Sequence, residues 1–168
     1  MAIIEKDTTW GVFFPNPADT SPTARAMAKN LLENIILPLL PYMGGRCVLS
    51  SGSRTMKGIE RLEGEGYHPS RTSDHLFGAI EPTAGAGDFI PENSPETFFA
   101  WVKKNCDRAT GEIKLPSGIV VKVGQIILEK NRTSWCHISN PRRLFWPKAG
   151  GLTTLLQSDD NGKTYREV

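Results

Sequence analysis

The stretch Ser134-Trp135-Cys136-His137-Ile138 predicts a short β-strand with a histidine near its centre. Successive side chains of a strand point to opposite faces, so Trp135 and His137 share one face while Cys136 and Ile138 share the other. The second pair is expected to enter the core, because a reduced cysteine behaves as a small hydrophobe. His137 is then left on the face that a ligand could reach.

Two helices with N-cap serines are predicted before this strand, and residues 50–66 are expected to form a loop and a polar helix. Ser21 and Pro22 mark the start of an amphipathic helix of about four turns, with serine as the N-cap and proline at the first helical position. Pro38 is expected to bend or end this helix. A second helix is predicted over residues 95–106, with Ser94 as its cap.

Strand signals dominate the second half of the chain. Extended runs rich in apolar residues are predicted at residues 47–49, 118–123, 125–129 and 134–138. Asp160-Asn161-Gly162 lies between two further extended runs, at 152–157 and 163–167, and predicts a C-terminal hairpin.

The whole chain, residues 1–168, fits one compact α+β domain with N-terminal helices packed on a mainly antiparallel sheet. Residues 1–20 are expected to form an irregular N-terminal segment and residues 150–168 a hairpin extension.

The 20 basic and 18 acidic side chains leave a net charge of +2, which does not indicate a nucleic-acid partner. No apolar run approaches the roughly 20 residues of a membrane span. The oligomeric state is left open.

Two of the three histidines lie in segments suited to metal binding. His75 lies in the turn-forming stretch SDHLFG at residues 73–78, and His137 lies on the predicted strand. Asp88 begins another extended run. A lone histidine is more often structural, but two imidazoles and one carboxylate from separate parts of a chain are the donor set of an open catalytic zinc site.

Five motifs in order carry a resemblance to a known family. They are LSSGSRT at residues 49–55, SDHLFG at 73–78, AGD at 86–88, QIILE at 125–129 and WCHIS at 135–139. Together they resemble the M15 zinc peptidases, which include D-Ala-D-Ala carboxypeptidases and bacteriophage endolysins and are structurally akin to Hedgehog signalling domains. The family pattern runs S-G-Y-R-S, S-x-H-x-x-G-x-A-x-D, Q-L-I-x-E and W-x-H, and the resemblance covers roughly residues 20–140.

The resemblance implies one Zn²⁺ per chain, with His75, Asp88 and His137 as its ligands. The spacing departs from the family, because twelve residues separate His75 from Asp88 where six are usual. An insertion between them accounts for the difference. Glu81 is the rival third ligand, since its spacing from His75 is nearer the usual one.

The catalytic base is a second departure from the family. Many members carry an acidic residue three positions before the last histidine, and here that position is Ser134, which cannot serve as a base. Glu129 is the implied substitute, because the QIILE motif ends there. The resemblance also implies that Arg54 and Ser73 line the substrate groove. Trp135 is expected either at its rim or in the core.

The implied reaction is hydrolysis of peptide bonds in peptidoglycan cross-bridges or stem peptides that contain D-amino acids. Zinc would activate its bound water and polarise the scissile carbonyl, while Glu129 would carry the proton to the leaving amine. Arg54 or His68 would help to hold the oxyanion. Arg54 could instead bind a substrate carboxylate, which its planar guanidinium suits.

The source and place of action follow as expectations from the same resemblance. Residues 1–7 lack the features of a signal peptide, so the protein is expected to be made in the cytoplasm. This fits a phage-encoded lysin or virion-associated enzyme that meets the cell wall after lysis or export, or as part of the virion. The alternative is a catalytically weak or inactive zinc-binding module of a phage particle, which Ser134 favours. The position of Glu129 relative to the metal discriminates the two.

Overall fold

The computed structural model describes residues 1–65, 74–78, 83–130, 133–141, 155–160 and 163–168.

The first long helix begins where the sequence predicts. The Oγ atom of Ser21 accepts a hydrogen bond from the N–H of Ala24 at 3.1 Å and caps the helix. The helical path consists of α1 (Pro22–Lys29), a π-helical segment (Asn30–Ile36), α2 (Leu37–Leu39) and a 3-10 turn (Leu40–Met43). Within the described ranges, none of the helices has the length and apolar character needed to cross a membrane.

Pro38 was expected to bend or end this helix. The helical path continues past Pro38 to Met43. The N–H of Leu37 bonds to the carbonyl of Leu32, five residues back, so the turn before the proline is wide. A wide turn separates the proline ring from the carbonyl four residues earlier, against which a regular α-helix would press it. The helical path ends at Gly44, whose φ of +96° suits glycine.

Strands supply most of the remaining structure. In chain order the described residues form β1 (Ala2–Ile4), β2 (Cys47–Ser51), β3 (Ala86–Pro91), β4 (Cys106–Asp107), β5 (Glu112–Lys114), β6 (Val120–Lys122), β7 (Ile126–Glu129), β8 (Trp135–Ser139), β9 (Leu155–Ser158) and β10 (Arg166–Glu167). The main sheet has the order β1-β2-β3-β8-β7-β9-β10, and β4, β5 and β6 form a small second sheet. Neighbouring strands are antiparallel except for β7 and β9, which are parallel. The predicted α+β class is confirmed.

The expectation of an irregular segment over residues 1–20 is wrong for strand β1. Ala2 pairs with Leu49 and Ile4 with Cys47, and Ile4 is fully buried. Three residues are too few to display the alternation that predicts a strand. The conformation of β1 is therefore set by its neighbour β2 and not by a pattern of its own.

The main sheet has one face in the core and one face that carries polar side chains. Phe89, Cys136 and Leu128 form a buried row across β3, β8 and β7. Helix α3 (Met56–Gly64) follows β2 in the chain. Helix α4 (Pro95–Asn105), which matches the second predicted helix, covers this face, and the Cys136 thiol donates to the carbonyl of Pro95 at 3.5 Å. The predicted core position of Cys136 is confirmed, and alternation directs the next residue, His137, to the opposite face.

Strands β9 and β10 are the arms of the predicted C-terminal hairpin. They pair antiparallel, while the predicted tip at Asn161 and Gly162 lies outside the described residues. The Asp160 carboxylate accepts from the N–H of Thr164 at 2.9 Å and from its hydroxyl at 2.6 Å. Because β9 runs beside β7, these arms extend the sheet that carries His137.

Asn140 joins the first helix to the main sheet. Its side-chain amide donates to the carbonyl of Met27 at 3.0 Å, and its Oδ1 accepts from the Asn30 amide at 2.9 Å. Its backbone N–H donates to the carbonyl of Gly85 at 2.8 Å. Asn140 is only 1% exposed, so water does not compete for these bonds.

Asn140→Ala should lower the free energy of unfolding by about 1–2 kcal/mol, because the half-buried Met27 and Asn30 would each lose a hydrogen-bond partner. Urea unfolding followed by circular dichroism measures this. Asn34→Ala is the matched control, since its amide bonds to Asn30 at an exposed position and its loss should cost below about 0.5 kcal/mol. Equal losses in the two variants would contradict the role assigned to Asn140.

Candidate metal centre

Strands β3 and β8 bring two of the candidate ligands together. Asp88 and His137 are directly paired in this antiparallel ladder, and paired residues project their side chains to the same face. The Oδ1 atom of Asp88 lies 3.1 Å from Nδ1 of His137. Both side chains are buried. Their contact therefore follows from the register of the sheet.

His75 reaches this pair from a short 3-10 turn held against the end of β2. Its backbone carbonyl accepts from the N–H of Arg54 at 2.8 Å, and its Nδ1 lies 2.7 Å from the carbonyl oxygen of Gly52. A carbonyl oxygen only accepts, so Nδ1 carries the proton of the neutral ring. The Nε2 atom then offers a lone pair toward the other two candidates.

The three donor atoms form a nearly equilateral triangle. The Nε2 atom of His75 lies 3.2 Å from Nδ1 of His137 and 3.3 Å from Oδ1 of Asp88, and the third edge is 3.1 Å. A tetrahedral zinc ion with bonds of about 2.0–2.1 Å separates its ligand atoms by about 3.3–3.4 Å. These residues therefore form a buried His-Asp-His group that could hold a metal ion.

The chemistry of this donor set favours a cation within the triangle. With Nδ1 of His75 protonated, a lone pair on its Nε2 faces a carboxylate oxygen and a second ring nitrogen. Lone pairs at these distances repel one another unless a proton or a metal ion lies between them. The residues present thus fit a metal ion in the spacing and the type of their donor atoms.

The charges of the three side chains act strongly on one another. Burial acts to raise the pKa of the Asp88 carboxyl, but His75 and His137 outweigh it and hold that pKa well below its usual range. Burial acts to lower the pKa of His137, while the hydrogen bond and charge of Asp88 raise it above its usual value. Asp88 is therefore ionised at neutral pH, as a metal ligand must be.

Arg54 holds the second oxygen of Asp88. One guanidinium nitrogen, Nη2, lies 3.4 Å from Oδ2 of Asp88 and 3.3 Å from the Ser51 hydroxyl. Fixing Oδ2 in this way orients Oδ1 toward the triangle. Arg54 also lines a groove of about 380 Å³, together with Arg61 and the hydroxyl-bearing side chains of Ser51, Ser53 and Thr55.

Glu129 lies on the same face of the sheet as the triangle. It pairs with Trp135, which precedes His137 by two residues on β8, so the three side chains share a face. Burial, and after it the charge of Asp88, raise the pKa of Glu129 above its usual value, although His137 and Arg54 act to lower it. Trp135 is partly buried. The catalytic role of Glu129 and the substrate-binding role of Trp135 stay predictions.

Three residues of the sequence hypothesis are not described, and a fourth is directed away from the triangle. Ser73, Glu81 and His68 lie outside the described residues. Ser134 hydrogen-bonds to Glu96, whose pKa it lowers, and alternation puts it on the core face of β8 with Cys136. The hydroxyl at this position is thus directed away from the triangle.

Gly52 and Tyr165 belong to this region, although the sequence does not point to either. Gly52 supplies the carbonyl that fixes the His75 ring, and a β-carbon there would lie 2.5 Å from the carbonyl oxygen of Phe13. A glycine between serines directly after a strand was the available signal, since it marks a close backbone approach. Tyr165 has no local signal, because strand pairing alone puts it in the same row of the sheet as Glu129.

Comparison of the chain with protein-family models, with curated proteins and with solved structures finds no match in any of the three. The M15 resemblance therefore rests on the motifs and their order, and it stays a prediction.

Gly52→Ala should weaken the binding of Zn²⁺, used as a probe, by about 10–100-fold, because the backbone that orients His75 must move. It should also destabilise the metal-free protein by about 1–3 kcal/mol. Competition with a chromophoric chelator and urea unfolding measure the two effects. Gly64→Ala is the matched control, because its β-carbon would meet no atom within 4 Å. Unaltered Zn²⁺ affinity in Gly52→Ala would show that this carbonyl does not orient a ligand.

Proposed function

We propose that the protein is a zinc-dependent peptidase, with one Zn²⁺ per chain bound by His75, Asp88 and His137. The observation that carries the proposal is the triangle of donor atoms, with edges of 3.1, 3.2 and 3.3 Å. Two imidazoles and one carboxylate suit zinc and leave a coordination position open. When bound, zinc supplies a water-derived nucleophile at neutral pH and polarises a carbonyl.

The side chains around the triangle have the groups that peptide hydrolysis requires. Glu129 takes the proton of the attacking water and returns it to the leaving amine. Its raised pKa favours proton uptake relative to an ordinary glutamate. Arg54, held beside Asp88, binds either the oxyanion or a carboxylate of the substrate through its planar guanidinium.

The proposed substrate is the peptide part of peptidoglycan, cut at a bond that involves a D-amino acid. The order of the five sequence motifs supports this choice. The groove beside Arg54 has Arg61 on its wall, and two arginines suit a peptide that carries free carboxylates. We further propose a phage-encoded lysin or virion-associated enzyme, whose wall substrate is reached after lysis or export or with the virion.

A zinc-binding structural module without turnover is the second candidate function. The observation that favours it concerns Ser134, which hydrogen-bonds to Glu96 and stands at the position where many M15 peptidases carry an acid. Under this alternative the zinc ion contributes to stability and Glu129 has no catalytic role. Zinc content alone does not separate the two functions, whereas turnover does.

The wild-type protein should contain about one zinc ion per chain, as expected for a single tetrahedral site. His137→Ala should contain almost none, because it removes one of the three donors of the triangle. His68→Ala, which alters the remaining histidine, should retain the metal. Elemental analysis of protein purified without added metal measures all three. A wild type that neither contains zinc nor takes it up would contradict the proposed site.

Glu129→Gln should lower the rate of peptidoglycan hydrolysis on the order of a hundredfold or more, because glutamine cannot accept the proton. Zinc content should stay unchanged. The assay follows the release of amino groups from purified peptidoglycan. Glu112→Gln is the matched control, since Glu112 lies on β5 of the second sheet. Wild-type activity in Glu129→Gln would remove its assignment as the base, and a zinc-loaded wild type without turnover would favour the structural alternative.

A further inference from the structure

Tyr165 lies directly before β10, in register with the row of the sheet that carries Glu129. Strand β10 pairs with β9 so that Arg166 lies opposite Gln157, which puts Tyr165 at the level of Ser158. Ser158 in turn pairs with Glu129 on β7. Tyr165, Ser158 and Glu129 therefore occupy one row across three neighbouring segments of the sheet.

This row lies on the face of the sheet that carries the candidate metal centre. Paired residues share a face, and Glu129 shares its face with His137. The Arg166 side chain lies on the opposite face of the sheet. Its Nη2 atom is 3.2 Å from a carboxylate oxygen of Asp159, the residue that follows Ser158. Alternation along the strand then puts Tyr165 on the face of the sheet that carries Glu129 and His137.

The charges of the site act on the Tyr165 phenol. Burial, followed by the charges of Glu129, Asp88 and Asp160, raises its pKa to about 12, while Arg54 acts to lower it. The phenol and the groups around the triangle therefore interact through their charges across the same face of the sheet. Tyr165 is also 49% exposed, which leaves part of its side chain open to a ligand.

The backbone next to Tyr165 is anchored. The Asp160 carboxylate accepts from the N–H and the hydroxyl of Thr164, and Ser158 donates to the same carboxylate at 2.9 Å. The two bonds from Thr164 hold the pKa of Asp160 at about 2, so the carboxylate persists at neutral pH. A side chain on an anchored segment meets a ligand with little loss of entropy.

We propose that Tyr165 is a ligand-contacting residue of this site, whose phenol O–H donates a hydrogen bond to an oxygen of the molecule bound at the His75–Asp88–His137 triangle. The proposal deepens the proposed function and rests on its metal site. It assigns a role to a residue beyond the stretch that resembles the M15 family. A neutral donor suits the position, because the carbonyl oxygen of a peptide gains negative charge as water attacks.

Tyr165→Phe tests this role, since it removes the hydroxyl and keeps the ring. The probe is acetohydroxamate, a small chelating carbonyl compound, titrated calorimetrically into the zinc-loaded full-length protein. Its Kd should rise about 5–10-fold, as expected for one lost hydrogen bond. The rate of peptidoglycan hydrolysis should fall about 10–100-fold, and zinc content should not change. Tyr42→Phe is the matched control, because its ring stacks on Trp101 at a centroid distance of 4.0 Å and should keep doing so.

The outcomes separate this role from the proposed function. If the wild type cleaves peptidoglycan and Tyr165→Phe matches it in both Kd and rate, the role of Tyr165 is overturned and the peptidase stands. If the wild type binds zinc without cleaving, the peptidase is overturned, and a raised or unchanged acetohydroxamate Kd decides for or against Tyr165. If the wild type takes up no zinc, both are overturned.

Discussion

The cross-strand pair of Asp88 and His137 is the contact on which the candidate site depends. Both residues lie one step along their strands from Phe89 and Cys136, which pair with each other in the core. A slip of one residue between β3 and β8 would exchange the two faces and expose the apolar pair to water. The burial of Phe89 and Cys136 therefore maintains the register, and the register maintains the distance between the two polar side chains.

The third donor reaches the sheet through backbone contacts at the end of β2. Arg54 contributes to two of the three candidate ligands, because its N–H donates to the His75 carbonyl while its guanidinium holds Asp88. The carbonyl of Gly52, two residues earlier, fixes the ring of His75. Residues 52–54 thus connect His75, which lies in a turn, with Asp88 in the sheet. These contacts fix the position of a donor that no strand carries.

The sequence was informative wherever a pattern was local. Ser21 and Ser94 marked helix starts, and alternation around Cys136 separated core from site. The sequence was uninformative wherever contacts with residues distant in the chain determine the conformation. Strand β1 is too short to have a pattern, and the π-helical turn that accommodates Pro38 has no recognisable signal. In the site, residue type and motif order indicated His75, Asp88 and His137, whereas Gly52 acts through its backbone and Tyr165 depends on strand pairing.

The parallel pairing of β7 with β9 has a consequence for how the chain folds. Ile126 pairs with Leu155, so this part of the ladder closes only after an intervening segment of nearly thirty residues has crossed over. Such non-local pairings form slowly, because the entropy of loop closure is lost before the hydrogen bonds form. During synthesis β7 would have one unpaired edge until residues 155–158 were made, and an exposed edge can pair with other chains. The late step that protects the nascent chain against aggregation is therefore also the step that adds the Tyr165 row to the sheet.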